Sequence, residues 1–197
     1  MPVTVLEAVE DALVAHFGQR PQRAWVSYVG VDPIEVLRFA PETDERVYVT
    51  RGMARYAMTG AEQSVVSVDG PRAELLLRLR DPSDEYVDVW RRLAVLAAAP
   101  AVEGVVYAAG MSVDLGEPLV PDSACTGTLV RRSTLGAIPT PDGAVAVLEA
   151  VPATAAELAW CRAKGAAALE QRWADAGTDL LDVMRRSVPL GDRGLGH

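Results

Sequence analysis

The sequence predicts an α+β fold: a mixed, largely antiparallel sheet flanked by helices. Two capping boxes, Thr4 with Glu7 and Thr154 with Glu157, open apolar-periodic helices towards the two ends of the chain. Between them lie short β-rich runs separated by Asp-Pro, Asp-Gly-Pro and Pro-Asp-Gly turn signals. The order is helix, strands, helix, strands, helices, with no strict βαβ alternation and no internal repeat.

Taken in order, residues 4–18 read as the first helix, with Leu6, Val9, Leu13 and Phe17 on one stripe and Gly18 as its stop. Residues 19–24 are a polar connection. Strands are expected at 25–29, 34–39 and 47–50, joined by Asp32-Pro33 and an acidic loop at 41–45. Residues 64–68 and 73–79 form a hairpin through Asp69-Gly70-Pro71. Asp81-Pro82 opens a second helix, with Asp84 and Glu85 in the turn where the helix dipole favours acids. Its buried stripe is Tyr86, Val89, Trp90, Leu93 and Leu96, and Pro100 ends it. Strands at 104–108, 126–131 and 144–151 follow. A helix runs from Thr154 to Gly177, and Thr178 caps a shorter one to Arg186. The organisation expected is a helix and connection at 1–24, the main domain at 25–187 and a flexible tail at 188–197.

Composition bounds the function. Half of the 197 residues are hydrophobic and 23% are charged, the profile of a chain that folds around a core. The longest apolar stretch, 93–111, is broken by Pro100, Glu103 and glycines, so no membrane span is expected. Glu7, Glu10 and Asp11 stand where a secretory leader would be basic and then apolar, which makes the cytoplasm the expected location. Cys125 and Cys161 form no short-spaced motif, so neither a disulfide framework nor a metal site is indicated. A net charge of -8, with the basic residues in scattered pairs and Lys164 the only lysine, argues against nucleic acid.

No catalytic constellation stands out. His197 is terminal and His16 sits in the last turn of a helix, where its ring suits the dipole. Gly110-Met111-Ser112 lacks the second glycine of a nucleophile elbow, and no phosphate loop is present. The acids Asp81, Asp84, Glu85 and Asp88 read as a dipole-stabilised solvated face or, if that face works, as a dock for a basic partner. Glu74 and Glu149, on predicted strands, are the carboxylates a small hydrolase or ligand-binding enzyme would use. Alternation instead turns both towards solvent or a sheet edge. The segment from Val47 to Met58 is the most informative. A strand ends at Thr50, Gly52 follows, then Met53, Tyr56 and Met58, which make either a core corner or adaptable apolar groups at a sheet's end.

At these residues the chain resembles the Suppressor of fused family, in which a strand ending in threonine meets a Gly-Met-Ser-like turn. Here the turn is Gly52-Met53-Ala54, with alanine for serine. Asp69-Gly70-Pro71 leading into Ala73-Glu74-Leu75-Leu76-Leu77, then Trp90, is similar to the next family block. So is the run from Thr140 through Asp142-Gly143, Pro152, Thr154 and Glu157 to Lys164 and Leu169, with Asp182 to Arg186 as a late counterpart. The blocks span roughly 25–187. The resemblance implies a protein-binding α+β domain without catalytic residues or cofactor, with partner binding by β-strand addition as in longer relatives; a monomer or weak dimer is expected. It places Gly52, Met53, Tyr56 and Asp69 at the partner-binding positions. For short stand-alone bacterial members it implies immunity, the blocking of a partner toxin, with regulation as the other role. The acidic balance suits a basic partner.

Overall fold

The computed structural model describes residues 3–28, 31–62, 69–81, 86 and 88–191. Helix α1 (Val5–Phe17) is followed by strands β1 (Gln22–Tyr28), β2 (Val31–Phe39) and β3 (Glu45–Arg51) and a 3₁₀ turn (Met53–Arg55). Strand β4 (Arg72–Arg80), helix α2 (Val89–Glu103) and strands β5 (Ser112–Asp114), β6 (Cys125–Thr140) and β7 (Gly143–Thr154) come next, then helices α3 (Ala155–Lys164) and α4 (Ala166–Asp175). The seven strands form one sheet in the order β1-β2-β3-β4-β7-β6-β5. Only β4 and β7 pair in parallel; the other neighbours are antiparallel.

Each face of the sheet has its own core. On one side Leu37, Phe39, Val47, Val49 and Leu76 pack against Val5, Val9 and Leu13 of α1. On the other, Val36, Tyr48, Leu75, Leu77 and Leu79 pack against Val89, Leu93, Leu96 and Ala97 of α2. The central strand β4 is therefore buried on both faces over residues 72–77, which accounts for its Leu75-Leu76-Leu77 run. An ion-pair network of Glu10, Arg23, Glu35 and Arg51 ties α1 to the β1–β3 side of the sheet, with Arg51 3.1 Å from Glu10.

Both capping boxes form as the spacing predicts. Several boundaries move. β1 begins inside the expected connection, because an edge strand tolerates Gln22 and Arg23 on its exposed surface. The first strand of the expected 64–68 hairpin lies outside the described residues, as do positions 82–85 and 87 of the expected helix start. Pro100 does not end α2, which continues to Glu103. A proline has no N–H for the Leu96 carbonyl, and the Tyr107 hydroxyl donates to that oxygen instead, at 2.7 Å. Tyr107 is thereby committed, and 104–108 is not a strand. The helix expected from Thr154 breaks into α3 and α4 at Gly165 (φ 91°, ψ 159°), a conformation closed to helical residues. The described residues after Thr178 form no helix. The Asp179 and Asp182 carboxylates accept from Leu181 and Met184 N–H, local bonds that compete with helix formation. Val188 is buried, and its N–H donates to Glu157.

Among the described residues no helix is long and apolar enough to cross a membrane.

Candidate functional site

β3 and β4 pair as far as Val49 and Leu76 and then part. Two side chains fill the fork. Thr50 Oγ1 accepts from Leu75 N–H at 2.8 Å and donates to Glu74 Oε2 at 2.6 Å. Glu74 Oε1 accepts from the N–H groups of Gly52 (2.8 Å) and Ala54 (3.0 Å), at the start of the 3₁₀ turn. Two residues earlier on β4, the Arg72 guanidinium donates to the carbonyls of Ala54 (2.9 Å) and Arg55 (2.8 Å) at the turn's other end. One strand thus holds the turn by both ends, a carboxylate at its N–H end and a cation at its carbonyl end, each matched to the polarity it meets. Gly52 is obligatory here. Its φ is 142°, and a Cβ would lie 3.2 Å from Pro33 O and 3.3 Å from Ile34 Cα.

Glu74 is fully buried, which corrects the expectation that alternation turns it to solvent or to a sheet edge. At Glu74 the central strand β4 is covered on both faces. Burial raises the carboxyl's pKa and outweighs the donors from Thr50, Gly52, Ala54 and Met53, all of them neutral.

Beyond the turn the chain leaves extended, and Met58 N–H donates to Pro71 O at 2.8 Å. Across from this segment stand Ala97, Pro100 and Ala101 of α2 and its C-cap Gly104. Between them lies a groove of about 630 Å³, also bounded by Asp32 and Ile34 of β2. Met53 and Met58 line it while packing into the α2-side core, so they serve as core corner and groove wall together. Tyr56 stands at its mouth, 60% exposed, and its hydroxyl donates to Asp32 Oδ2 at 2.8 Å. That bond and the carboxylate's charge raise the phenol's pKa. Arg55 Nε is 3.8 Å from the same oxygen.

The structure therefore brings Gly52, Met53 and Tyr56 to one groove. Asp69 is exposed, two residues ahead of the Pro71 that holds Met58, and is not part of the lining. Sequence reasoning missed Glu74 and Arg72 as the turn's holders. An acid next to the Leu75-Leu76-Leu77 run, which puts apolar side chains on both faces of the strand, is the signal that would have found Glu74. It also missed the α2 wall, whose alanines carry no chemical signature.

The other candidates fall elsewhere. A second depression of about 310 Å³, on the α1 side, is lined by His16, Glu45, Arg78, Ser133 and Glu149 among others. Glu149 is 2.8 Å from Arg131 and Glu45 2.7 Å from Arg78. Of the expected acidic helix face, Asp81 is buried, its carboxylate accepting from Tyr86 N–H, and Asp88 is exposed beside Arg91. Asp84 and Glu85 are outside the described residues. Cys125 and Cys161 are buried thiols. Among the described residues no three His, Cys, Asp or Glu side chains converge as metal ligands do.

The family model of the Suppressor of fused protein matches residues 30–186. No curated protein matches the chain. Among solved structures, the Sufu–Fu complex superposes with a TM-score of 0.70 at 17% identity, over 95% of this chain and 93% of that one. A Suppressor of fused homologue from Neisseria gonorrhoeae FA 1090 gives 0.67 at 18%, over 92% and 94%. Drosophila Suppressor of Fused gives 0.65 at 17% over 94% of this chain, which spans 51% of the Drosophila chain.

Proposed function

The chain belongs to the Suppressor of fused family, and from that premise we propose that it works by binding another protein, without catalysis and without a cofactor. The observation that carries this reading is the groove at Tyr56, an apolar concavity whose wall is held rigid from β4. Adaptable methionine side chains and an exposed tyrosine suit protein recognition. The relative solved as the Sufu–Fu complex is a family member with a protein bound. Gly52, Met53 and Tyr56 are the positions assigned to contact, with Asp69 as an outlying charged group.

Photo-crosslinking tests this. Tyr56→p-benzoylphenylalanine, irradiated in lysate of the native host, should give one protein adduct of discrete mass, absent when the same probe replaces Thr43 in the β2–β3 loop, beside the opposite end of β4 where Glu45 pairs with Arg80. Loss of the adduct, or the same adducts from both positions, overturns the reading. The role within the cytoplasm is immunity against a toxin or regulation of a partner. The net charge of -8 supports steering of a basic partner. Co-expression with the product of the neighbouring gene discriminates: rescue from growth arrest supports immunity, and complex formation without toxicity supports regulation.

A second reading has one observation behind it, the polar depression at Glu149. A carboxylate enzyme would use that group and not Glu74, which is sealed by its own donors. Turnover of any substrate that disappears in Glu149→Gln would establish it.

A further inference from the structure

We propose that the α2 groove takes an apolar segment of a partner protein flanked by basic residues. This rests on the protein-binding reading and narrows what is bound.

The first observation is shape. The facing walls are small: Ala97, Ala101 and the C-cap Gly104 of α2, with Ala57, Gly60 and Ala61 opposite. They touch at one end, where a Cβ on Gly104 would lie 2.7 Å from Ala61 N. Elsewhere no side chain among the described residues fills the space, whose volume falls in the range of roughly 300–1,000 Å³ typical of ligand sites. The second is exposed apolar surface. Tyr56 (60%) lines the groove and Val106 (36%) borders it, its Cγ2 4.0 Å from the Cβ position of Gly60. Apolar surface gathered at a concavity marks an interaction site, whereas the single exposed residues Val3, Trp25 and Met184 do not.

Charge selects the occupant. Asp32 stands at the mouth, and Glu62 and Glu103 are exposed beside the Ala61–Gly104 contact, against Arg55, which already faces Asp32. A second copy of this chain would bring the same acids against this rim, and an anionic lipid surface would be repelled. Lysine or arginine on either side of an apolar stretch meets these carboxylates.

The test uses two labelled synthetic peptides with one leucine-rich centre, one flanked by lysine and arginine and the other by glutamate, titrated by fluorescence anisotropy. The basic peptide should bind at least about tenfold tighter, a preference that salt weakens. Ala101→Trp, which fills the groove, should reduce binding about tenfold or more. Neutralising Asp32, Glu62 and Glu103 to their amides should abolish the preference. Methyl spectra of the wild type keep the test valid if the tryptophan variant misfolds: the basic peptide should shift Met53 and Met58 but not Met184. Equal binding of the two peptides, unchanged binding to a folded Ala101→Trp, or binding that leaves both methionine signals unmoved overturns the proposal. If neither peptide binds while the Tyr56 crosslink still traps a protein, this proposal falls and the protein-binding reading stands. If the crosslink fails as well, both fall.

Discussion

Glu74 and Glu157 are both buried carboxylates that gather backbone donors, yet their surroundings act in opposite directions. Glu74 meets a hydroxyl and peptide N–H groups only, and burial raises its pKa. Glu157 is desolvated too, but the Arg185 guanidinium grips both its oxygens, at 2.7 and 2.9 Å. Trp173 Nε1 (3.1 Å) and the N–H groups of Thr154 (2.9 Å) and Val188 (3.1 Å) complete its shell. Burial pushes Glu157 up, and the Arg185 bond, the backbone donors and the arginine's charge together bring it below the ordinary value. A counter-charge is the difference. One carboxylate is a neutral-tolerant wedge under the groove; the other is an obligatory ion that ties α3, α4 and the chain after Arg185 together.

The largest effect expected from this contrast is at Arg185. Arg185→Met leaves Glu157 buried without its cation, and the loss should be about 3–5 kcal/mol in urea unfolding. A loss near zero would mean that the neutral donors suffice at Glu157 as they do at Glu74. Next comes the turn that Glu74 holds. Gly52→Ala places a Cβ against Pro33 and Ile34 in a strained backbone region. It should lower stability by about 1–3 kcal/mol and weaken partner binding at Tyr56 in the same assay.

Much of the architecture was legible because it rests on local chemistry. Thr4 with Glu7 and Thr154 with Glu157 are spaced so that each side chain reaches the other's backbone, and both boxes form. What escaped depends on distant partners. The acid three residues after Thr154 reads as half of a cap, and nothing nearby says that Trp173 and Arg185 will also close on it. Pro100 reads as a stop because the Tyr107 hydroxyl that replaces its missing donor comes from beyond the helix. β6 runs past the expected end at 131, through a register shift, to Thr140, held there by its pairing with β7. At the groove, the side with methionines and a tyrosine was visible in sequence and the alanine side was not.

The pH dependence sharpens the comparison further. Glu74's folded pKa lies above the ordinary value of 4.5, so its contribution is fully present below that value and is lost as pH rises through the folded pKa. Glu157's lies below 4.5, so its contribution is present above that value and is lost as pH falls through the folded pKa. Glu74→Gln should therefore gain on the wild type as pH rises from acid to neutral and stay within about 1 kcal/mol of it at neutrality. Glu157→Gln should show its largest deficit at neutral pH, narrowing in acid. Urea midpoints across a pH series read both. Parallel curves for the two variants would remove the electrostatic distinction.

The smallest effect concerns Tyr56, where a carboxylate again meets a titratable group, this time in water. The hydrogen bond to Asp32 and then its negative charge disfavour the phenolate. Asp32→Asn keeps a side-chain acceptor and removes the charge, so the tyrosinate absorbance transition should move down towards the ordinary tyrosine value while the unfolding midpoint stays in place. An unmoved transition would detach Tyr56 from Asp32 in solution and leave the ring free to swing out of the mouth of the groove. Because Arg55 faces the same carboxylate, Arg55→Gln should shift the transition the opposite way, and by less, since its charge is the last of the influences on that phenol. The two variants together measure how far solvent weakens at the rim an interaction that burial amplifies beneath it.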